Sequence, residues 1–235
     1  ETVSFDFIFA LPGQTISDLI CDVVLAFQLG ANHVALYPFI DFSFTKSDVQ
    51  AMKNPDKRKL LNGITAYLEK NGCTRTSIWT FSNEKGACYS SMTRENFLGF
   101  GCSATTLLNG QFKINTFSPE AYGNRISHGR LPTSLTLRFS KRQRMVYYLF
   151  WTAYSTWVDP KEFQLFFGEE LSSWYGVELW LAQRLGWLEN IDGKYHLTLN
   201  GAFAYHYLES FYTLKYIDKM WNTMRESSFP SKLRL

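Results

Sequence analysis

A strand–helix–strand pattern in the first forty residues limits the fold of this chain more than any other feature of its sequence. The apolar run from Phe5 to Ala10 predicts a strand that is buried on both faces, as strands of parallel sheets are. The amphipathic stretch from Thr15 to Leu29 predicts a helix, and the run from His33 to Tyr37 predicts a second strand. Two strands joined in this way form a βαβ unit with a right-handed crossover. The fold class is therefore α/β.

The pattern continues through residues 1–130, which we assign to one domain. Lys57 to Asn71 predicts a helix, Thr76 to Phe81 predicts a third strand, and Asn109-Gly110 predicts a turn between two more strand-like runs. Three or four strands with a parallel component do not close a barrel. We therefore expect further strands to precede Glu1, in a longer protein of which this chain is a part.

The second half of the chain has a helical period. We predict a linker at residues 131–140 and a mainly helical domain at residues 141–235. This domain contains one predicted hairpin, which turns at Asp192-Gly193, and a long closing helix. Helices followed by a two-stranded wing and a last helix resemble a winged-helix arrangement.

Composition excludes several classes of protein. The 24 basic and 21 acidic residues give a net charge of only +3, which argues against nucleic-acid binding because a phosphate footprint needs a clustered basic face. The most apolar stretch, Met145 to Val158, is shorter than the roughly 20 residues that a membrane span needs. The four cysteines form no C-x-x-C pair, which indicates reduced thiols and a cytoplasmic protein. We expect no membrane partner.

Asp6 is the most unusual single residue, because it interrupts an apolar strand. A carboxylate inside a parallel barrel is costly unless it has a partner, and the paired hydroxyls of a ribose would be a suitable one. An exposed strand end would explain the same residue, and composition leaves both interpretations open.

Two further segments are candidates for ligand binding. The run from Leu98 to Thr105 contains Gly99 and Gly101, and glycines allow a backbone to approach a ligand closely, although a bulge or turn explains them equally well. The polar loop from Tyr89 to Arg94 precedes it. Arg94 could reach an anionic group, but on residue type alone a surface arginine is the favoured interpretation.

Several blocks of this chain occur in a recognisable order. They are Asp6 to Thr15 with D-x-x-x-x-L-P-G-Q-T, His33 to Tyr37, and Phe97 to Ala104 with L-G-x-G-x-S-A, followed by residues 162–168, 185–188 and 197–201. In order and spacing they resemble the oxygen-independent coproporphyrinogen III oxidase family of radical SAM enzymes. The resemblance implies the C-terminal part of a half-open (β/α)₆ radical SAM barrel, followed by a mainly helical, winged-helix-like domain.

The resemblance also implies two cofactors, S-adenosylmethionine and a 4Fe-4S cluster. In that family, the cluster hangs from a C-x-x-x-C-x-x-C loop and cleaves S-adenosylmethionine to a radical that abstracts hydrogen from a porphyrinogen. The cysteines of this chain lie 52, 15 and 14 residues apart and do not match that loop. We therefore expect the cluster ligands in a missing N-terminal half of the barrel. We expect no catalytic residue or metal ligand here, and an inactive chain when that half is absent.

Residue by residue, the resemblance assigns Asp6 to the adenosine ribose of the cofactor. It assigns the backbone of Phe39 and Ile40, and that of Gly101, Ser103 and Thr105, to the adenine and methionine parts. Arg94 is the candidate substrate-binding residue. The expected partners are a tetrapyrrole-like small molecule and the N-terminal half of the barrel.

Two alternatives from other functional classes remain open. The same scaffold could belong to a haem-binding or haem-delivery protein without turnover. The second alternative is a winged-helix interaction module at residues 140–235. Lys141, Arg142 and Arg144 favour it, whereas Glu178 and the single arginine of the helix at 171–185 argue against a basic recognition face.

Overall fold

The computed structural model describes residues 2–45, 50–83 and 95–231 of the chain. Its strands are β1 (Ser4–Phe9), β2 (His33–Pro38), β3 (Thr74–Arg75), β4 (Thr80–Ser82), β5 (Thr105–Leu108), β6 (Gln111–Asn115), β7 (Thr133–Arg138), β8 (Trp157–Val158), β9 (Leu188–Ile191) and β10 (Lys194–Leu197). Its α-helices are α1 (Ile16–Gln28), α2 (Asn54–Lys70), α3 (Pro119–Ser127), α4 (Lys141–Tyr154), α5 (Pro160–Phe167), α6 (Leu171–Arg184), α7 (Leu199–Tyr212) and α8 (Asp218–Glu226). A 3₁₀ turn spans Ser43–Thr45, and a π-helical segment, Thr213–Ile217, joins α7 to α8.

These elements form two compact units, and each is built from separate stretches of the chain. The first unit comprises Glu1–Asp41, Thr45–Ser91 and Thr152–Leu208. The second unit comprises Phe42–Phe44, Met92–Trp151 and Glu209–Leu235.

The first unit contains a four-stranded sheet in the order β1-β2-β4-β3. β1 and β2 are parallel, in a register that places Ser4 beside His33 and Phe9 beside Pro38, so the predicted βαβ unit is confirmed. Between them, α1 begins with a capping box: the Thr15 side chain accepts from the Asp18 backbone, and the Asp18 carboxylate accepts from Thr15. β4 pairs antiparallel with β2, so this part of the sheet is mixed.

Aromatic side chains fill the core of the first unit. The ring of Trp79 lies 5.3 Å from that of Phe9 and 4.7 Å, edge-on, from that of His206, and all three residues are buried. Rings at such distances and tilts add a specific attraction to the hydrophobic contribution of their burial. A second sheet of the same unit, β8-β10-β9, contains the predicted hairpin.

The second unit is built on the antiparallel sheet β5-β6-β7. β5 and β6 are joined at Asn109 and Gly110, which both have positive φ values, of 50° and 71°. Two successive residues with positive φ form the turn that matches the twist of a hairpin, so the predicted turn is confirmed. A register shift between Ile114 and Asn115 ends the regular pairing of β6 with β7.

The structure differs from the sequence prediction at residues 131–140. Instead of a linker, these residues contain β7, which pairs with β6 along its length. The run from Thr133 to Arg138 alternates polar and apolar side chains, which is the period of a half-buried strand. The predicted division into 1–130 and 141–235 also differs from the two units observed, because both halves of the chain contribute to each unit.

β1 is also less buried than predicted. Phe9 is fully buried, but Phe5 is 37% exposed and Ile8 is 57% exposed. The reason is the position of β1, which among the described strands pairs with β2 alone and lies at the edge of its sheet. A strand can be apolar on both faces without being covered on both.

An uncovered apolar edge is a template for pairing with another chain. We therefore expect the isolated 235-residue chain to form dimers or larger species in static light scattering. Ile8→Lys, which places a charge on this edge, is expected to reduce their weight-average mass. A wild-type chain that is monomeric at high concentration would contradict this prediction.

No helix within residues 2–45, 50–83 and 95–231 is long and apolar enough to cross a membrane.

Candidate functional site

Asp6 lies at the middle of the edge strand β1. It shares one face of the strand with Ser4 and Ile8 and stands beside Ala35 of β2 in the parallel register. Its side chain is exposed, and its carboxylate accepts no hydrogen bond from the described residues. An ionised carboxylate with open acceptor positions can bind two neighbouring hydroxyls of a ligand.

His33 is the buried titratable group near Asp6. Its Nδ1 lies 2.8 Å from Ser4 Oγ, and the residue is 1% exposed. Burial lowers the pKa of His33, and the negative charge of Asp6 opposes this shift. Because the pKa falls below its ordinary value, we expect His33 to be neutral at neutral pH and to leave the Asp6 charge uncompensated.

Phe39 and Ile40 follow β2, just beyond the ends of the two parallel strands. The backbone N–H of Phe39 donates to the carbonyl oxygen of Phe9 at 2.8 Å. The ammonium of Lys57, on α2, donates to the carbonyl oxygen of Phe39 at 3.1 Å. Ligands of α/β folds bind outside the carboxyl ends of parallel strands, which is where this backbone lies. Asp6, Phe39 and Ile40 thus all belong to the first unit. Asp6 lies on β1, and the other two lie just beyond the end of β2.

In the second unit, backbone conformation and close packing explain why the run 99–105 contains glycines. Gly101 has a φ of +101° and Ser103 has a φ of 58°, so the chain reverses sharply before β5. A Cβ built on Gly99 would overlap the carbonyl oxygen of Thr105 and lie 2.8 Å from its carbonyl carbon. A turn with a close backbone approach therefore accounts for these glycines.

Hydrogen bonds hold this turn on both sides. The Gly101 N–H donates to the Tyr122 hydroxyl at 3.1 Å, and the Asn115 side-chain amide donates to the Gly101 carbonyl at 3.0 Å. The Ser103 N–H donates to the Thr116 carbonyl at 3.0 Å. Gly101, Ser103 and Thr105 are thus brought together in the second unit, where Ser103 lines a groove.

The groove has a volume of about 610 Å³, and three aromatic rings and three serines contribute to its walls. Its lining residues are Phe44, Ser103, Phe117, Ser118, Trp221, Met224, Arg225 and Ser228. The ring of Trp221 lies 6.3 Å from that of Phe44 and 6.2 Å from that of Phe117. The Arg225 guanidinium lies 4.8 Å above the centre of the Phe44 ring. The groove therefore combines flat apolar faces with one cation at its wall.

A short hydrogen-bond network fixes the segment that carries Phe44. The buried carboxylate of Asp218, at the start of α8, accepts hydrogen bonds from the Ser43 N–H at 3.1 Å and from the Ser43 hydroxyl at 2.6 Å. Asn222 donates to the same hydroxyl at 2.7 Å. Phe42 stacks on Trp221 at 5.4 Å. Residues 42–44 are thereby attached to α8, and the Phe44 ring has a fixed place in the groove wall.

The structure is similar to that of coproporphyrinogen III oxidase (HemN) from Escherichia coli, described as a radical SAM enzyme, with a TM-score of 0.66 and 12% identity over 91% of this chain and 55% of that one. The chain has a HemN-like fold. The heme chaperone HemW of Bacillus subtilis (strain 168) is 22% identical over 212 residues, which are 86% of this chain and 56% of HemW.

Both proteins are of the kind that the sequence blocks resemble, and the structural similarity shows the fold. The chain spans about half the length of each of these two proteins. No family model matches it.

The family that the sequence blocks resemble implies two cofactors, and the described residues fit one of them. Among the described residues, no group of three or more His, Cys, Asp or Glu side chains could hold a metal ion. Cys21 is exposed, Cys73 is buried and Cys102 is half-buried, and they form no such group. The described chain therefore does not fit the iron–sulfur cluster. It fits S-adenosylmethionine at Asp6, whose open carboxylate can accept from ribose hydroxyls.

The wall of the groove is not apparent from the sequence. Trp221, Arg225 and Asp218 come from α8, more than 170 residues after their partners at 43 and 44. The available signal was the helical spacing of Met220 and Met224, which marks a buried face but does not identify what it faces. The candidate substrate residue Arg94, with the rest of its loop from Tyr89, lies outside the described residues.

Proposed function

We propose that this chain is part of a HemN-like radical SAM oxidoreductase that acts on a tetrapyrrole-type substrate in the cytoplasm. The observation that carries the proposal is the HemN-like fold over nine-tenths of the chain. In this proposal the barrel segment and the winged-helix-like domain retain the architecture that the resemblance implies, and further chain supplies the ligands of the 4Fe-4S cluster. S-adenosylmethionine, when bound, supplies the 5′-deoxyadenosyl group that reacts with substrate.

The first unit would hold the adenosine of S-adenosylmethionine. The Asp6 carboxylate is exposed and free of hydrogen bonds within the described chain, so it would accept from both ribose hydroxyls. The backbone of Phe39 and Ile40 would pack on the adenine beyond the carboxyl ends of the strands. That the turn at Gly101, Ser103 and Thr105 also contacts the cofactor stays a prediction of the resemblance.

The groove of the second unit would bind the tetrapyrrole. Its volume of about 610 Å³ lies within the range of roughly 300–1,000 Å³ that is typical of small-molecule sites. The faces of Trp221, Phe44 and Phe117 suit a flat conjugated ring, and Arg225 suits a carboxylate at its edge.

The second candidate function is haem binding and delivery without turnover. It is supported by the similarity to HemW, a heme chaperone, and by the same aromatic groove. The two functions differ in one measurable product, because only the oxidoreductase forms 5′-deoxyadenosine in proportion to a modified substrate.

The winged-helix interaction module has less support. On α6, the exposed side chains include Val177 and Trp180, and Arg184 is the helix's one arginine. A nucleic-acid-binding helix is expected to expose several basic groups.

Arg225 provides a test of the groove. We expect Arg225→Gln to weaken binding of coproporphyrin roughly tenfold in an absorbance titration, because a charge-assisted hydrogen bond to a carboxylate is lost. The loss should shrink at high salt, which screens an exposed cation. Lys219→Gln removes an exposed cation from the same helix outside the groove and is expected to leave the affinity unchanged. Equal affinities of the Arg225 variant and wild type would exclude this groove as the binding site.

A further inference from the structure

Lys57 occupies a position that is unfavourable for a cation. It lies in the first turn of α2 and is only 6% exposed. Lysine is rarely buried without a partner, and a positive charge is disfavoured near the N-terminus of a helix. Burial accordingly lowers the pKa of Lys57. Within the described chain, its ammonium donates to the Phe39 carbonyl oxygen and forms an ion pair with no carboxylate.

Lys59, two residues later on the same helix, is an ordinary surface lysine and provides the contrast with Lys57. Its side chain is 80% exposed and lies 3.4 Å from the Asp56 carboxylate. Replacing buried ion pairs by apolar side chains of similar volume is often neutral or stabilising, and Lys57 has no carboxylate partner within the described chain. Fold stability alone is therefore a weak reason for a lysine at position 57.

The hydrogen bond to the Phe39 carbonyl gives a reason for a lysine at position 57. The Phe39 N–H is already held by Phe9 at 2.8 Å, and Lys57 holds the carbonyl of the same residue at 3.1 Å. The bond to Phe9 fixes the peptide before Phe39, and the bond from Lys57 fixes the peptide that joins Phe39 to Ile40, beyond the carboxyl ends of β1 and β2. Phe39 and Ile40 are half-buried, so this backbone retains surface on which a ligand can pack.

We propose that Lys57 is a positioning residue for the ligand-binding backbone at Phe39 and Ile40. It acts through the Phe39 carbonyl and does not touch the ligand. This inference rests on the proposed function, in which that backbone packs on the adenine of S-adenosylmethionine. When the backbone is already ordered before binding, the binding free energy is not reduced by the cost of ordering that backbone.

The test is Lys57→Met in the complete protein that contains this chain, with its iron–sulfur cluster reconstituted, because methionine keeps the length and removes the donor. We expect the affinity for S-adenosylmethionine, measured by calorimetry, to fall about tenfold, while the melting temperature stays equal or rises. Hydrogen exchange at the Phe39 amide, which donates to the Phe9 carbonyl, is expected to accelerate. Lys57→Arg, which retains a donor, should recover part of the affinity, and Lys59→Met should change none of the three quantities.

Each outcome has a distinct meaning. Unchanged affinity and unchanged exchange in Lys57→Met would overturn the proposal. A parallel fall of affinity and melting temperature would show a merely structural lysine and would also overturn it. If wild type itself does not bind S-adenosylmethionine, the proposed function fails. In that case amide exchange alone tests the role of Lys57. Faster exchange in Lys57→Met than in wild type still supports a positioning role.

Discussion

Replacing Gly99 by alanine is expected to lower the free energy of unfolding by about 3 kcal/mol or more. A Cβ at this position would overlap the Thr105 carbonyl oxygen and lie 2.8 and 2.9 Å from two further backbone atoms of Thr105. Thr105 begins β5 and pairs with Ile114, so its backbone cannot move without disturbing the sheet. For a chain of this size, the melting temperature should fall by roughly 6–12 °C.

Gly123→Ala is the matched control in the same unit. Gly123 lies inside α3, and a Cβ there would meet no atom within 4 Å. Alanine favours a helix over glycine, so this variant should be unchanged or more stable by up to about 1 kcal/mol. A Gly99 variant that melts within 1 °C of wild type would show that the close approach is not rigid.

Replacing Asp6 by asparagine is expected to weaken S-adenosylmethionine binding by about 10- to 100-fold. The estimate corresponds to the loss of charge-assisted hydrogen bonds worth roughly 1.5–3 kcal/mol. The side chain is exposed and accepts from no described residue, so the substitution should leave the melting temperature nearly unchanged. Calorimetric titration of the folded variant gives the affinity.

Asp22→Asn is a suitable control for this titration. It removes an exposed carboxylate from α1 in the same unit, and it alters net charge by the same amount. We expect it to bind S-adenosylmethionine as wild type does. If both variants bind alike, the carboxylate of Asp6 is an ordinary strand residue, which is the alternative that the sequence left open.

The local elements could be predicted because their signals lie within a few residues. Thr15 and Asp18 specify the start of α1 through their reciprocal hydrogen bonds, and Asn109-Gly110 specifies the hairpin through two positive φ values. β7 was mistaken for a linker because Gly129 and Pro132 flank it. A flanking turn residue does not prevent the alternating pattern between Thr133 and Arg138 from forming a strand.

Burial and the groove could not be predicted, since they depend on neighbours that are distant in sequence. Phe5 and Ile8 have the apolarity of a buried strand, and only the position of β1 in its sheet exposes them. The attachment of Ser43 to Asp218 spans 175 residues, and neither residue type indicates the other. Lys57 is the same kind of case, because an apolar stripe with a lysine in its first turn suggests a solvated side chain, not a buried one.

The proposed function depends most directly on whether the protein that contains this chain cleaves S-adenosylmethionine. The measurement is 5′-deoxyadenosine formation by the product of the complete gene, with its iron–sulfur cluster reconstituted and reduced, in the presence and absence of a porphyrinogen. We predict formation of 5′-deoxyadenosine that rises with the substrate and falls sharply in the Asp6→Asn variant. A protein that binds haem with an intact cluster but forms no 5′-deoxyadenosine under either condition would contradict the oxidoreductase proposal and favour haem delivery.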